Sequence, residues 1–239
     1  PYGINMIDAP NMWKASYRGQ GIKVAIIDTG CDVNHVSLKD NIAGVRNFTP
    51  EDNKDPNVVI DRVGHGTHVA GIVAANGKVD SVIGAAPEAE LYKLERAIKN
   101  AIKNNILVVC AAGNEGDGNY DDFEYSYPAA YVDVIAVGAV DKKAVPAPFS
   151  NANLVIDCVA PGVDIISTYP NNRFASLSGT SMAAPYVSGT VALLKNWSRD
   201  VFQRELTESE LYAQLIKYTK TLQYPRTIQG NGLIYLKRR

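Results

Sequence analysis

"IKVAIIDTG", residues 22–30, is a run of aliphatic, largely β-branched residues that ends on an acid, a threonine and a glycine. A short apolar run of this kind, bounded by Gly21 and Gly30, reads as a buried strand of a parallel sheet. Working outward, the same signature returns in "ILVVCAAG" (106–113), "VIAVGAV" (134–140) and "DCVAPG" (157–162). Between these runs the period changes from strand to helix. "GHGTHVAGIVAA" (64–75) places Val69, Ile72 and Val73 at helical spacing, and "LERAIKNAIKNN" (94–105) puts Leu94, Ala97, Ile98, Ala101 and Ile102 on one face. "TSMAAPYVSGTVALLKN" (180–196) predicts a long, mostly buried helix despite Pro185. "TESELYAQLIKYT" (207–219) opens on a capping box, Thr207 with Glu210, and predicts a closing helix. Strands alternating with helices predict a doubly wound α/β sheet.

The bulk properties narrow the function classes. The 239 residues carry no linker-like or repeated segment, so residues 1–239 read as one domain with ample length for a core. A net charge of −1 argues against a nucleic-acid surface, which needs a basic excess; "LKRR" at 236–239 reads as a solvated tail. No apolar run approaches the roughly 20 residues of a membrane span. The opening "PYGINMIDAP" has neither a basic start nor an apolar stretch, so no signal peptide is expected. Cys31, Cys110 and Cys158 are odd in number, and the last two sit in apolar runs, which fits reduced, packed thiols in a cytoplasm.

In a doubly wound sheet, functional groups gather at the carboxyl ends of the strands. Asp28 and Asn114 stand at such ends, and His65 and Ser181 stand at helix starts, so four polar residues converge on one rim. A serine hydroxyl attacks only when a base takes its proton. His65 is the candidate base, Asp28 the anion that would hold its tautomer and steady the imidazolium. Asn114 and the Ser181 N–H are candidate donors for a tetrahedral oxyanion. Each residue has a structural alternative: Asp28 a turn cap, Ser181 an N-cap, His65 or His68 a packed core histidine, Asn114 a turn residue. The four together favour the chemical reading.

The blocks "VAIIDTG", "GHGTHVAG", "AAGNEG" and "SGTSMAAP" resemble the signature blocks of the subtilisin-like serine proteases. "DTGCDVNH", "RNFTPEDNKDP", "APEAELY", "ILVVCAAGNEGDG" and "LTESELYAQLIK" with "GNGLIYL" are similar to the intracellular branch of that family from Bacillus-type bacteria. The resemblance covers nearly the whole chain. It implies the subtilisin-like three-layer α/β fold, with a mainly parallel central sheet and helices on both faces. It implies Asp28, His65 and Ser181 as a catalytic triad and Asn114 as oxyanion donor. It further implies Ala111, Ala112 and Gly113 as one wall of the primary specificity pocket. Ser126 would lie near the pocket floor, where the family usually has glycine, and would shorten the pocket against large aromatic P1 side chains. Met182, next to the nucleophile, is a site for sulfoxide formation or a core methionine. The implied function is a cytoplasmic serine endopeptidase acting on extended segments of unfolded or damaged proteins, with no cofactor required. The intracellular branch also implies a homodimer and an inhibitory amino-terminal extension. The alternative is a pseudoprotease that binds peptide without cleaving it; a lipase or esterase would be expected to show G-x-S-x-G, whereas Ser181 lies in "GTSMA".

Two departures from the family stand out. At its tight calcium site a carboxylate position reads Ser37 and an asparagine position reads Lys78. A hard cation wants several oxygen ligands and is repelled by an ammonium, so this site is expected to be lost. A weaker cation site from carbonyls near Ala129 and Tyr131 is the remaining candidate. The second departure follows "APEAELY", where Tyr92 and Lys93 run straight into "LERAIKN". The family continues there through a strand, a helix and another strand that pairs with substrate, roughly 30 residues or more at average element lengths. The expected reading is a family segment omitted from the sequence after Lys93, with loss by chain cleavage or a true deletion with rearrangement as the alternatives.

Overall fold

The computed structural model describes residues 1–47, 55, 57–80, 82–92, 101 and 104–237. The chain starts with two short helices, α1 (Tyr2–Met6) and α2 (Ala9–Lys14). There follow β1 (Lys23–Ala25), β2 (Ile42–Gly44), α3 (His65–Ala74) and β3 (Glu90–Tyr92). Beyond the 94–105 stretch come β4 (Val109–Ala111), β5 (Ile135–Val140) and β6 (Ile156–Pro161), then the hairpin β7 (Ile165–Tyr169) and β8 (Arg173–Leu177). The long helix α4 (Thr180–Phe202) leads to α5 (Glu208–Lys217), β9 (Thr219–Lys220), α6 (Arg226–Gln229) and β10 (Leu233–Ile234). The junction after Lys93 and the helix expected over 94–105 lie outside the described residues, apart from Ala101, Asn104 and Asn105.

Parallel pairing dominates, as expected for this class. Sheet order is β1-β3-β2 in one block and β4-β5-β6-β10-β9 in another, with only β9 antiparallel in the second. One hydrophobic core joins the blocks. Ile22 and Leu91 come from the first, Ile135, Val137 and Cys158 from the second, and α3 and α4 add Ile72, Val73, Ala183 and Leu193. β5 and β6 are buried almost throughout, as their sequences predict.

The two runs flanking the site are less covered than a buried strand would be. Ile27 is 65% exposed and Ile106 54%, and no residue of β1 or β4 is fully buried. The reason is position: among the described residues, β1 and β4 are the outermost strands of their blocks, each with one hydrogen-bonded neighbour. An apolar run needs neighbours on both edges and cover on both faces before it is buried.

Local signals were otherwise followed closely. The capping box on α5 is formed, with the Glu210 N–H donating to Thr207 Oγ1 and the Thr207 N–H to Glu210 Oε2. Pro185 lies inside α4, where its missing N–H leaves the Ser181 carbonyl without its usual helical donor. Cys110 and Cys158 carry no disulfide, and burial pushes Cys110 up to about 11.

Candidate active site

Asp28 lies just beyond β1 and His65 is the first residue of α3, so a strand end meets a helix start. His65 Nδ1 and Asp28 Oδ1 are 2.7 Å apart, with the carboxylate side chain 11% exposed and the imidazole 34%. The Thr29 N–H donates to the same carboxylate oxygen at 2.7 Å. Asp28 therefore caps its own turn and holds His65 at once. With Nδ1–H donated to a carboxylate, Nε2 is left as the basic nitrogen of a neutral imidazole. Gly66 makes the approach possible, because a Cβ there would sit 2.2 Å from the Gly30 carbonyl oxygen and 3.0 Å from Asp28 Oδ1.

His68 is the packed histidine. It is fully buried, and its Nε2 lies 2.9 Å from the Ile165 oxygen and 3.0 Å from the Ala175 oxygen. Burial holds its pKa below the ordinary histidine value, ahead of the opposing pull of those two carbonyls.

Ser181 is the second residue of α4, and the N-cap is Gly179, so the serine hydroxyl is not spent on capping the helix. Asn114 follows the turn after β4. Its Oδ1 accepts from the Thr180 N–H at 2.8 Å and from Thr180 Oγ1 at 3.0 Å. With its oxygen accepting from Thr180, the amide keeps its NH2 group as the remaining donor. The Ser181 N–H, in the first turn of α4, belongs to the group of helix donors that have no intrahelical partner. No hydrogen bond joins Ser181 to His65 among the described residues; such bonds are often long in free enzymes and tighten with substrate bound.

Ala111 ends β4, Ala112 is fully buried, and Gly113 adopts φ +114°, a conformation that favours glycine. The resemblance placed Ser126 near the pocket floor; the structure shows what holds it. Ser126 Oγ donates to Glu115 Oε2 at 2.8 Å, and Asn151 Nδ2 donates to the same Glu115 oxygen at 2.8 Å and to Ser126 Oγ at 3.2 Å. A Cβ on Gly113 would meet all three groups within 2.6 Å. Hydrogen bonds from Asn151 and then Ser126 hold the Glu115 carboxyl below the usual range. The only sequence signal for Glu115 was its place beside Asn114; nothing pointed to Asn151.

At the expected calcium position, Lys78 Nζ pairs with Asp40 Oδ2 at 2.8 Å on the surface, and the Ser37 hydroxyl is buried without a partner. Among the described residues no group of three or more His, Cys, Asp or Glu is placed to hold a metal ion. The Tyr131 carbonyl, one of the proposed ligands of a weaker site, accepts from the Val134 N–H at 3.3 Å. No helix of the described residues is long and apolar enough to cross a membrane.

A parallel α/β sheet with an Asp–His pair at one strand end, and a serine at a helix start beside an oriented asparagine, defines a serine-hydrolase arrangement. Residues 19–96 and 92–232 match the Subtilase family, and the chain belongs to that family. The chain is 45% identical over 279 positions to the "Major intracellular serine protease" of Bacillus subtilis (strain 168), covering 99% of this chain and 88% of that protein. It is 44% identical to the "Intracellular serine protease" of Paenibacillus polymyxa, covering 99% and 85%. It is 35% identical to "Subtilisin Savinase" of Lederbergia lenta, covering 98% and 96%. The family match comes in two stretches that meet at residues 92–96. The 279 aligned positions also exceed the 239 residues of the chain, so at least 40 positions of the first relative have no counterpart here.

Proposed function

We propose that this chain is a cytoplasmic serine endopeptidase in which Ser181 is the nucleophile, His65 the general base, Asp28 its orienting anion and Asn114 an oxyanion donor. The observation that carries the reading is the 2.7 Å Asp28–His65 bond, with support from the Asn114 side chain, whose oxygen is held by the Thr180 N–H next to Ser181. In the first step Ser181 Oγ bonds to the scissile carbonyl carbon while its proton passes to His65 Nε2. The carbonyl oxygen becomes an oxyanion facing Asn114 Nδ2 and the Ser181 N–H. The carbon–nitrogen bond then breaks, His65 returns its proton to the leaving amine, and an acyl-serine remains. Water repeats the sequence and releases the acid. No step calls on a metal or cofactor.

Protein substrates follow from the family, and the class we propose is extended segments of unfolded or damaged proteins. The relatives' names support an intracellular setting, and Cys110 and Cys158, which carry no disulfide, agree with it. The Glu115–Ser126–Asn151 cluster against Gly113 supports a shortened, polar P1 pocket along Ala111–Gly113. The tight calcium site is proposed lost, since Lys78 and Ser37 offer it an ammonium and a hydroxyl; a chelator should leave thermal stability unchanged. A homodimer is proposed on the resemblance to the intracellular branch, and light scattering in solution tests it.

We treat the chain as a single subtilisin-like domain lacking a family segment after Lys93. The two-stretch match and the unmatched positions of the relative support that reading. The junction after Lys93 is also the one observation behind the second reading, a peptide-binding pseudoprotease, against which the triad and asparagine argue. A fluorophosphonate probe separates the two. Stoichiometric labelling that is lost in Ser181→Ala supports the peptidase; a folded chain that stays unlabelled supports the pseudoprotease. Inserting the relative's unmatched segment at residue 93 should then raise kcat/KM, and no gain would overturn the missing-segment reading.

A further inference from the structure

Asp61 does not touch the reacting groups, yet its buried carboxylate accepts five hydrogen bonds beside the site. Its side chain lies in the turn that leads to α3, and the residue is 7% exposed. Oδ1 accepts from the Gly64 N–H at 2.7 Å, the Val63 N–H at 3.2 Å and Thr29 Oγ1 at 2.9 Å. Oδ2 accepts from the Thr67 N–H at 2.8 Å and from Thr67 Oγ1 at 2.6 Å. Gly64, the N-cap of α3, has no side chain to cap with, so Asp61 supplies the cap from outside the helix. Burial alone would raise its pKa, but the bonds from Thr67, Gly64 and Thr29 together hold it below the ordinary carboxylate value.

One of those bonds leaves the helix. Thr29 is the residue after Asp28, and its Oγ1 donates to Asp61 while accepting from the Gly66 N–H at 3.1 Å. The same carboxylate thus grips the start of the His65 helix and the turn that carries Asp28. Two segments meet in the Asp28–His65 bond, and both are tied to one buried anion. Thr67 Oγ1 extends the tie by accepting from the Asp32 N–H at 2.9 Å.

We infer that Asp61 is a positioning residue, which sets the Asp28–His65 pair by clamping the Asp28 turn to the amino end of α3. The inference rests on the peptidase reading for its effect on rate, though not for its effect on the pair itself. Asp61→Asn keeps size but loses a charge and acceptor capacity. Thr29→Val removes the link to the Asp28 turn together with the acceptor of the Gly66 N–H, leaves the Asp61 bonds to Gly64 and Thr67 in place, and Thr29→Ser restores the hydroxyl.

The experiment has two readouts on the full chain. With only three histidines, the Nδ1–H resonance and titration of His65 can be followed by NMR in parent, Asp61→Asn, Thr29→Val and Thr29→Ser. The expected result is loss or upfield movement of the Nδ1–H signal and a lower His65 pKa in the first two, with Thr29→Ser like the parent. Steady-state kinetics on a soluble peptide, normalised to phosphonate-titratable sites, should show kcat down on the order of 10-fold to 100-fold with KM nearly unchanged. Parent-like His65 signals in folded Asp61→Asn and Thr29→Val would overturn the inference. An unlabelled parent would instead overturn the peptidase reading, and the NMR comparison would still decide the role of Asp61.

Discussion

Gly66→Ala is the smallest change that tests how closely the two halves of the Asp–His pair must approach. The added methyl falls 2.2 Å from the Gly30 oxygen, 3.0 Å from Asp28 Oδ1 and 3.1 Å from Asp28 Cβ. An ordinary carbon–oxygen contact is about 3.3 Å or longer. Backbone cannot swing aside as a flexible side chain would, so the Asp28 turn and α3 must part by about 1 Å. A misplacement of that size costs on the order of 10²-fold in rate, equivalent to about 2.7 kcal/mol at the transition state. Overpacking should cost about 1–3 kcal/mol of stability, which a domain stable by about 5–15 kcal/mol survives. The assay is kcat and KM on a chromogenic peptide, with active sites counted by phosphonate and folding followed by thermal melt. Most of the loss should fall on kcat. Val132→Ala, at a side chain 91% exposed, should leave both parameters unchanged. A folded Gly66→Ala protein with kcat within about twofold of the parent would refute the argument, because the 1 Å displacement is predicted to cost about 100-fold.

Two further outcomes follow from the same contacts. Ser126→Gly removes a hydroxymethyl from the Gly113 wall and frees Glu115 from one donor, so Phe and Tyr at P1 should gain relative to Ala; an unchanged P1 profile counts against Ser126 as a pocket residue. Acid should destabilise the fold in two windows. His68 has a depressed folded pKa, so below about pH 6.5 the unfolded chain gains a proton that the folded one refuses, at a cost of up to about 1.4 kcal/mol per pH unit. The Asp61 contribution is whole above the unfolded carboxylate value near 3.9 and is lost as pH falls from there through its lower folded value. A Tm that stays level or rises between about pH 6.5 and 5 contradicts the His68 part.

Sequence was most informative where one local segment carries the whole signal. The runs at 134–140 and 157–162 became buried strands because each has a neighbour on either side. Thr207 and Glu210 cap a helix using only atoms within one turn. Asp28 and His65 were paired from their chemistry and motifs, and they meet. The burial of 22–30 and 106–113 was not legible, because it depends on which strand lies alongside. Asp61 was missed for a related reason. In "VIDRVGHG" it reads as a loop acid, and its bond to Thr29 spans 32 positions of chain. One local signal was present: an acid just before a helix whose N-cap, Gly64, has no side chain of its own. The Glu115–Asn151 contact, 36 positions apart, left no such trace.

Among the described residues the site is divided between the two parallel blocks, Asp28 and His65 on the side of β1, Asn114 and Ser181 on the side of β4, so contacts other than strand pairing also set their register. The β7–β8 hairpin is placed to do it. Four of its groups bind α3 close to His65: Thr168 Oγ1 donates to the Thr67 oxygen at 2.6 Å, Ser167 Oγ donates to the His68 oxygen at 2.8 Å, and His68 Nε2 reaches the Ile165 and Ala175 oxygens. β8 then runs through Ser178 and Gly179 directly into α4 and Ser181. His65 and Ser181 are thereby referred to one hairpin, whereas Asp28 is referred to α3 through Asp61. Thr168→Val keeps the shape and removes one buried hydrogen bond, worth about 1 kcal/mol. It should slow phosphonate labelling of Ser181 several-fold while leaving the His65 Nδ1–H signature intact, the reverse of the pattern expected for Thr29→Val. If Thr168→Val disturbs the Asp28–His65 signature instead, the hairpin and Asp61 are parts of one clamp, and the serine must take its position from the core packing of α4.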